Sequence, residues 1–200
     1  MDLSEKYSKN CTTFIKNNIK TADEELEKIQ YGLHVFFLNI SKLSILLVLA
    51  YFFNVITYTL VALISFSSLR AFASGMHASS SKSCTISTIL IFTAIVYFSI
   101  HIHINSFYMP LIFSFSLLLV ILYAPSDTSE RPLISKNLRN KLKKASVFIV
   151  IMFFLITLLL TNHFYKNIIT FSILIESILT TPLVYTIFGR SYKNYESFKF

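Results

Sequence analysis

The chain has 200 residues, of which 54% are hydrophobic and only 14% charged, and its mean hydropathy is +0.62. Soluble globular domains carry about 25% charged residues, so this composition excludes an ordinary water-soluble fold. The formal charge of +8 then points to lysine- and arginine-rich cytoplasmic loops rather than to nucleic acid, and two cysteines exclude a disulfide framework.

From the N-terminus, residues 1–32 read as amphipathic helix on the cytoplasmic side. Leu3, Tyr7, Cys11, Phe14, Ile15 and Ile19 recur at three- and four-residue steps between lysines and acids. Thr21-Ala22-Asp23-Glu24 fits a capping box starting a second helix that carries Leu26, Ile29 and Leu33. Such a region suits the membrane surface, or else packs on its own protein. Charges crowd this stretch and no apolar core segment interrupts them, so the first span is expected to do the targeting.

Residues 33–188 read as a transmembrane bundle of an all-α polytopic membrane protein, a single domain with a cytoplasmic tail at 189–200. About six spans are expected, near 33–53, 55–70, 85–103, 106–124, 147–162 and 168–188, because about 20 apolar helical residues cross the hydrocarbon. The first two are split at Asn54. A single span over 33–69 would turn the basic loop 126–146 outward, against the positive-inside bias. With six spans, both termini and nearly all lysines and arginines face the cytoplasm, leaving Lys166 outside and Lys42 to snorkel from the first span.

This topology puts Ser74-Gly75-Met76-His77-Ala78-Ser79-Ser80-Ser81-Lys82-Ser83-Cys84 on the cytoplasmic face between spans two and three. A reducing compartment keeps the Cys84 thiol intact. An imidazole can take a thiol proton, and free N–H groups at a helix N-terminus, with Ser83 or Ser81 as cap, favour an anion in the first turn and could help form an oxyanion hole. On one continuous helix His77 and Cys84 would lie about 10.5 Å apart along the axis, too far for a hydrogen bond. A catalytic pair therefore requires a bend, and no unbroken helix from Arg70 to Leu90. Unrelated loop residues are the bland alternative.

Arg70, then Gly75-Met76-His77 and Cys84 after two spans, with Tyr123-Ala124-Pro125 after span four and a basic loop behind it, resembles the AgrB family of Gram-positive quorum-sensing proteins. The resemblance implies a membrane cysteine endopeptidase, active without a cofactor, that processes an AgrD-like pro-peptide. It maps the catalytic histidine and cysteine onto His77 and Cys84. It further implies removal of an acidic C-terminal tail, a thioester on Cys84, closure of a thiolactone or lactone ring by a residue of the peptide, and a homodimer. Many relatives carry a proline shortly after the histidine, where this chain has Ser79. A transporter or peptide exporter, and a non-catalytic scaffold, are the competing classes.

Other residues carry secondary expectations. Lys141, Lys143 and Lys144 serve either positive-inside topology or docking of an acidic tail. Arg70 is a snorkelling anchor or a clamp for a substrate carboxylate. Glu176, placed near the middle of span six, is either protonated or paired with another helix or subunit, in a structural rather than catalytic role. His101 and His103 lack further ligands, so no metal site is expected. Cys11 is a small buried hydrophobe or a palmitoylation site.

Overall fold

A computed structural model describes residues 3–19, 22–76, 81–105, 107–128 and 132–198, with the backbone alone for Leu3, Asp23, Ser81 and Phe198. His77, Ser79 and Ser80, together with Lys20, Thr21, Glu130, Arg131 and Lys199, lie outside the described residues. The described part is helical, without a strand, in two compact units, 1–54 and 55–200.

The first unit is a pair of helices, α1 (Leu3–Asn18) and α2 (Asp23–Phe52). Ser4, Ser8 and Thr12, four residues apart, are the buried positions of α1, while Tyr7 and Phe14 stay exposed. Ser8 and Thr12 return their hydroxyls to the Glu5 and Ser8 carbonyls at 2.9 Å and 2.8 Å, and these small side chains allow close packing on α2. Of the expected apolar stripe, Tyr7, Phe14 and Ile19 are exposed while Cys11 and Ile15 are half-buried. One expectation needs correction. The N-cap of α2 is Ala22, which has no side-chain oxygen to accept a bond. The helix then runs unbroken through residues 32 and 33, because a single Gly32 among good helix formers costs only about 1 kcal/mol. The break at Asn54 is present: that residue takes a left-handed φ of 56° between α2 and the next helix.

The second unit comprises α3 (Ile56–Ala73), α4 (Ser81–His101), α5 (Tyr108–Tyr123), α6 (Lys136–Leu159), α7 (His163–Leu179), the short α8 (Pro182–Ile187) and a 3-10 turn, Asn194–Phe198. α7 is the central helix, packed against α3, α4, α5 and α6. Its position explains its composition. Asn167, Thr170, Ser172, Glu176 and Ser177 are all buried against protein; Asn167 donates to the carbonyls of Ser99 at 3.2 Å and Ile102 at 2.7 Å, and Thr170 and Ser177 donate to the carbonyls of Lys166 and Ile173 at 2.7 Å. Around it Leu69, Phe113, Val120, Val150, Phe153, Ile169 and Ile173 form the apolar core. The outer faces carry Leu118, Leu122, Phe148 and Leu155, all exposed, as lipid contact requires and water would penalise.

Among the described residues four helices, α2, α3, α4 and α6, are long and apolar enough to cross a membrane, and α5 is a shorter apolar helix. The sixth expected span differs most from its prediction: it breaks after α7. Pro182 has no N–H to continue the ladder and holds Thr181 extended at φ −79°, ψ 147°. The basic segment also differs, since residues 136–146 are the first turns of α6 and not loop. Ser135 caps them by accepting from the Leu138 N–H at 3.4 Å, and no glycine or proline interrupts the remainder of the helix.

The poles of this unit are chemically distinct. Where α3 and α7 begin, Tyr58 makes tilted ring contacts with Phe164 and Tyr165, and His103 meets His163 with ring centres 5.3 Å apart. Where α3, α5 and α7 end, the polar segments 74–76 and 124–127 come together through a parallel bridge between Ser74 and Ser126.

Candidate active site

The segment leading to His77 is fixed from three directions. Ser74 and Gly75 both have positive φ, at 58° and 130°, and turn the chain sharply off the end of α3. The Met76 N–H then donates to the Leu179 carbonyl at the end of α7, 3.3 Å away, and the Met76 side chain is buried against Val184 and Tyr185. On the far side, the Ser126 N–H donates to the Ala73 carbonyl at 2.9 Å, and its hydroxyl donates to the Thr180 carbonyl at 2.6 Å. Ser126 thereby ties the ends of α3 and α7 together just after the cis Ala124–Pro125 bond.

Arg70 sits at the centre of this arrangement. One guanidinium nitrogen, Nη1, faces the Glu176 carboxylate at 3.2 Å and 3.4 Å, and Nη2 donates to the Met76 carbonyl at 2.5 Å. Glu176 is fully buried, and the break before Pro182 places it in the last turn of α7. This corrects the expected mid-span position: Glu176 lies beside the loop, not deep beneath it. A fork of two nitrogens can hold a carboxylate and a backbone carbonyl together, which the single charge of lysine cannot. Gly75 is required by the same packing. A Cβ there would come within 2.7 Å of Arg70 Nη1 and 3.3 Å of the Leu179 carbonyl.

Cys84 is the fourth residue of α4, a half-buried thiol in the first turn, and its carbonyl accepts from the Thr88 hydroxyl at 2.8 Å. Ser83 is the third residue of α4 and lies inside the helix, so it is not the cap, which corrects that expectation; the side chain of Ser81 lies outside the described residues. α3 ends at Ala73 and residues 74–76 are not helical, so no unbroken helix runs from Arg70 to Leu90; the stretch 77–80, where a bend between His77 and Cys84 would fall, lies outside the described residues. No group of His, Cys, Asp and Glu among the described residues could hold a metal.

Lys141 and Lys144 point to solvent on the first turns of α6, whereas Lys143 is half-buried and faces a cavity. Two features had no place in the sequence reading. Asp127 is buried, and its carboxylate accepts from the backbone N–H groups of Asn194 at 2.9 Å, Tyr195 at 2.8 Å and Leu133 at 3.4 Å, folding the C-terminal segment back onto the loop after α5. Tyr185 donates to the Asp127 carbonyl at 3.0 Å. The only signal was an acid directly after Pro125-Ser126 at the start of a basic stretch.

The family model described as accessory gene regulator B matches residues 8–180, most of the chain. The chain belongs to the AgrB family. It is 35% identical over 195 residues to an AgrB-like protein of Clostridium acetobutylicum, covering 98% of this chain and 93% of that one. It is 33% identical over 159 residues to accessory gene regulator protein B of Staphylococcus aureus, covering 80% and 84% of the two chains. An AgrB-like protein of Listeria innocua is 29% identical over 184 residues, 92% of this chain and 90% of that one. No solved structure matches the chain. The part shared with the AgrB family spans Arg70, the 74–84 segment and Glu176, and stops just before α8.

Proposed function

We propose that this AgrB-family chain is a membrane-embedded cysteine endopeptidase that processes an AgrD-like pro-peptide for quorum sensing, with its site and both termini at the cytoplasmic face of a Gram-positive cell membrane. His77 takes the proton of the Cys84 thiol, and the thiolate attacks the carbonyl before the acidic tail. The C–N bond breaks, His77 returns the proton to the leaving amine, and the peptide remains as a thioester on Cys84. A thiol or hydroxyl within the peptide then attacks that thioester, closing a thiolactone or lactone and releasing Cys84. Exchanging one thioester for another roughly conserves acyl-transfer energy, and a site at a membrane boundary limits the water that would dissipate it.

The observation that carries this reading is the fixed approach to His77. Arg70, Glu176 and Ser126 lock the backbone through Met76, while α4 presents Cys84 in its first turn a few residues on. Positioning of this kind is worth several kcal/mol in the reactions that use it. Arg70 and Gly75 are then positioning residues. Exposed Lys141 and Lys144 give an acidic tail an electrostatic approach, with Lys143 and Ser83 in supporting places. The resemblance extends to a homodimer.

The test uses the full chain in lipid with a synthetic pro-peptide, read by intact mass. Tail release and a covalent peptide adduct are expected, both lost in Cys84→Ala and His77→Ala. Tail release that persists in Cys84→Ala would sink the assignment. Vectorial movement of uncut peptide would indicate a transporter instead.

A further inference from the structure

A second polar feature lies at the same pole, separate from the loop that carries the proposed chemistry. The folded-back C-terminal segment, the end of α5 and the start of α6 enclose a cavity of about 240 Å³, lined among others by Tyr123, Asp127, Arg139, Lys143, Tyr192 and Lys193. Its charge balance is positive. The Asp127 carboxylate is turned to three backbone N–H groups and the Asn194 amide, and among the described residues it makes no ion pair with the lining cations. Lys193 meets Glu196 only at 3.9 Å, with both half-exposed, and Lys143 has no carboxylate partner among the described residues. Arg139 is held rigidly: its Nη1 donates to the Leu133 and Ile134 carbonyls at 2.6 Å and 2.8 Å, and its guanidinium lies 4.0 Å over the Tyr195 ring. The other guanidinium nitrogen and two ammonium groups are left for an anion.

Depth and neighbouring surface identify the class of anion. With α6 read as a span, Lys143 stands four residues, about 6 Å, outside Val147, where its apolar stretch begins. Headgroup layers are about 5–8 Å thick, so the cavity lies at headgroup depth. Below it, Leu122 lines the rim, and Leu118, Phe115 and Leu111 continue down the same face of α5 at helical spacing, all exposed. We infer that the cavity binds the phosphate of an anionic phospholipid, held by Lys143, Arg139 and Lys193, with the acyl chains along the Leu122–Leu118–Phe115 stripe. Basic pockets between spans on the cytoplasmic side take such headgroups, and neither a free phosphate nor an acidic peptide would need the apolar stripe. This site does not depend on the peptidase reading.

The full chain, purified in neutral detergent, is titrated with phosphatidylglycerol and with phosphatidylcholine of the same chains, and bound lipid is counted by native mass spectrometry. Phosphatidylglycerol should be retained at about tenfold lower concentration than phosphatidylcholine. Lys143→Glu with Lys193→Glu should abolish that preference, whereas Lys141→Glu with Lys144→Glu, an equal change of charge outside the cavity, should keep it. Should the first pair fail to fold by thermal unfolding, Lys143→Gln with Lys193→Gln replaces it. Equal retention of both lipids, or equal loss in both double variants, overturns the inference. Displacement of phosphatidylglycerol by inorganic phosphate reassigns the cavity to a free anion, and displacement by a glutamate-rich peptide reassigns it to peptide; either result also overturns it.

Discussion

Arg70 and Glu176, 106 residues apart in sequence, meet at 3.2 Å beneath the loop that leads to His77, and the same guanidinium holds the Met76 carbonyl. Glu176 is wholly buried and Arg70 is one-fifth exposed, so neither charge has water as an adequate substitute for the other. The pair converts an expensive buried acid into the support of a backbone carbonyl adjacent to a proposed catalytic residue.

Removing one partner leaves the other charge buried and unpaired, at a cost of about 3–5 kcal/mol. Arg70→Gln and Glu176→Gln should therefore both lower thermal stability in detergent and reduce tail release. The exchanged pair Arg70→Glu with Glu176→Arg discriminates between stability and positioning. It should recover part of the stability, but not the activity, because the Met76 carbonyl loses its donor. Full recovery of tail release in the exchanged pair would show that the ion pair alone matters.

Gly75→Ala tests the same geometry sterically. At φ 130° a side chain is strained, and the added Cβ must displace Arg70 Nη1 from 2.7 Å. A cost of about 1–3 kcal/mol is expected, with tail release down about tenfold or more while the helical content by circular dichroism is unchanged. Wild-type turnover in Gly75→Ala would mean that the loop tolerates movement there.

The membrane class, the break at Asn54 and the bend between Arg70 and Cys84 were legible because each follows from local rules: apolar length, a turn residue, and helical rise. The Arg70–Glu176 contact was not. Glu176 looked mid-span as long as residues 168–188 were read as one helix, and the effect of Pro182 on Thr181 decides that point. Residues 136–146 were misread for a related reason. Lysine density signals topology, but lysine and arginine are also good helix formers, and Ser135 supplies the cap. Asp127 was invisible for another reason: its partners are backbone N–H groups of residues 133, 194 and 195, which leave no pattern in a sequence.

Asp127 should govern whether the C-terminal segment stays folded back. Hydrogen bonds to a charged acceptor contribute about 1.5–3 kcal/mol, and Asp127→Asn weakens three of them without changing shape. Limited proteolysis at Lys193 should become about tenfold faster or more in Asp127→Asn, with the helices α3 to α7 still resistant. An unchanged cleavage rate at Lys193 would assign the hold on this segment to Tyr192 and Tyr195 instead.

The same segment should loosen in alkali. Burial, reinforced by the negative charges that Tyr195, Tyr123 and Asp127 present, pushes the Tyr192 phenol up to about 12 from its ordinary 10.0, and its hydroxyl donates to the Tyr123 carbonyl at 3.4 Å. A group with a raised folded-state value binds its proton more tightly when folded. Its contribution is therefore complete below pH 10.0 and is lost as the pH climbs toward about 12. Over that window the unfolded chain gives up this proton first, so stability falls. The ultraviolet absorbance of tyrosinate, followed together with thermal unfolding, should show a late titrating group that disappears in Tyr192→Phe, whose stability should decline less steeply across the same window. An identical decline in wild type and Tyr192→Phe would remove Tyr192 as its source.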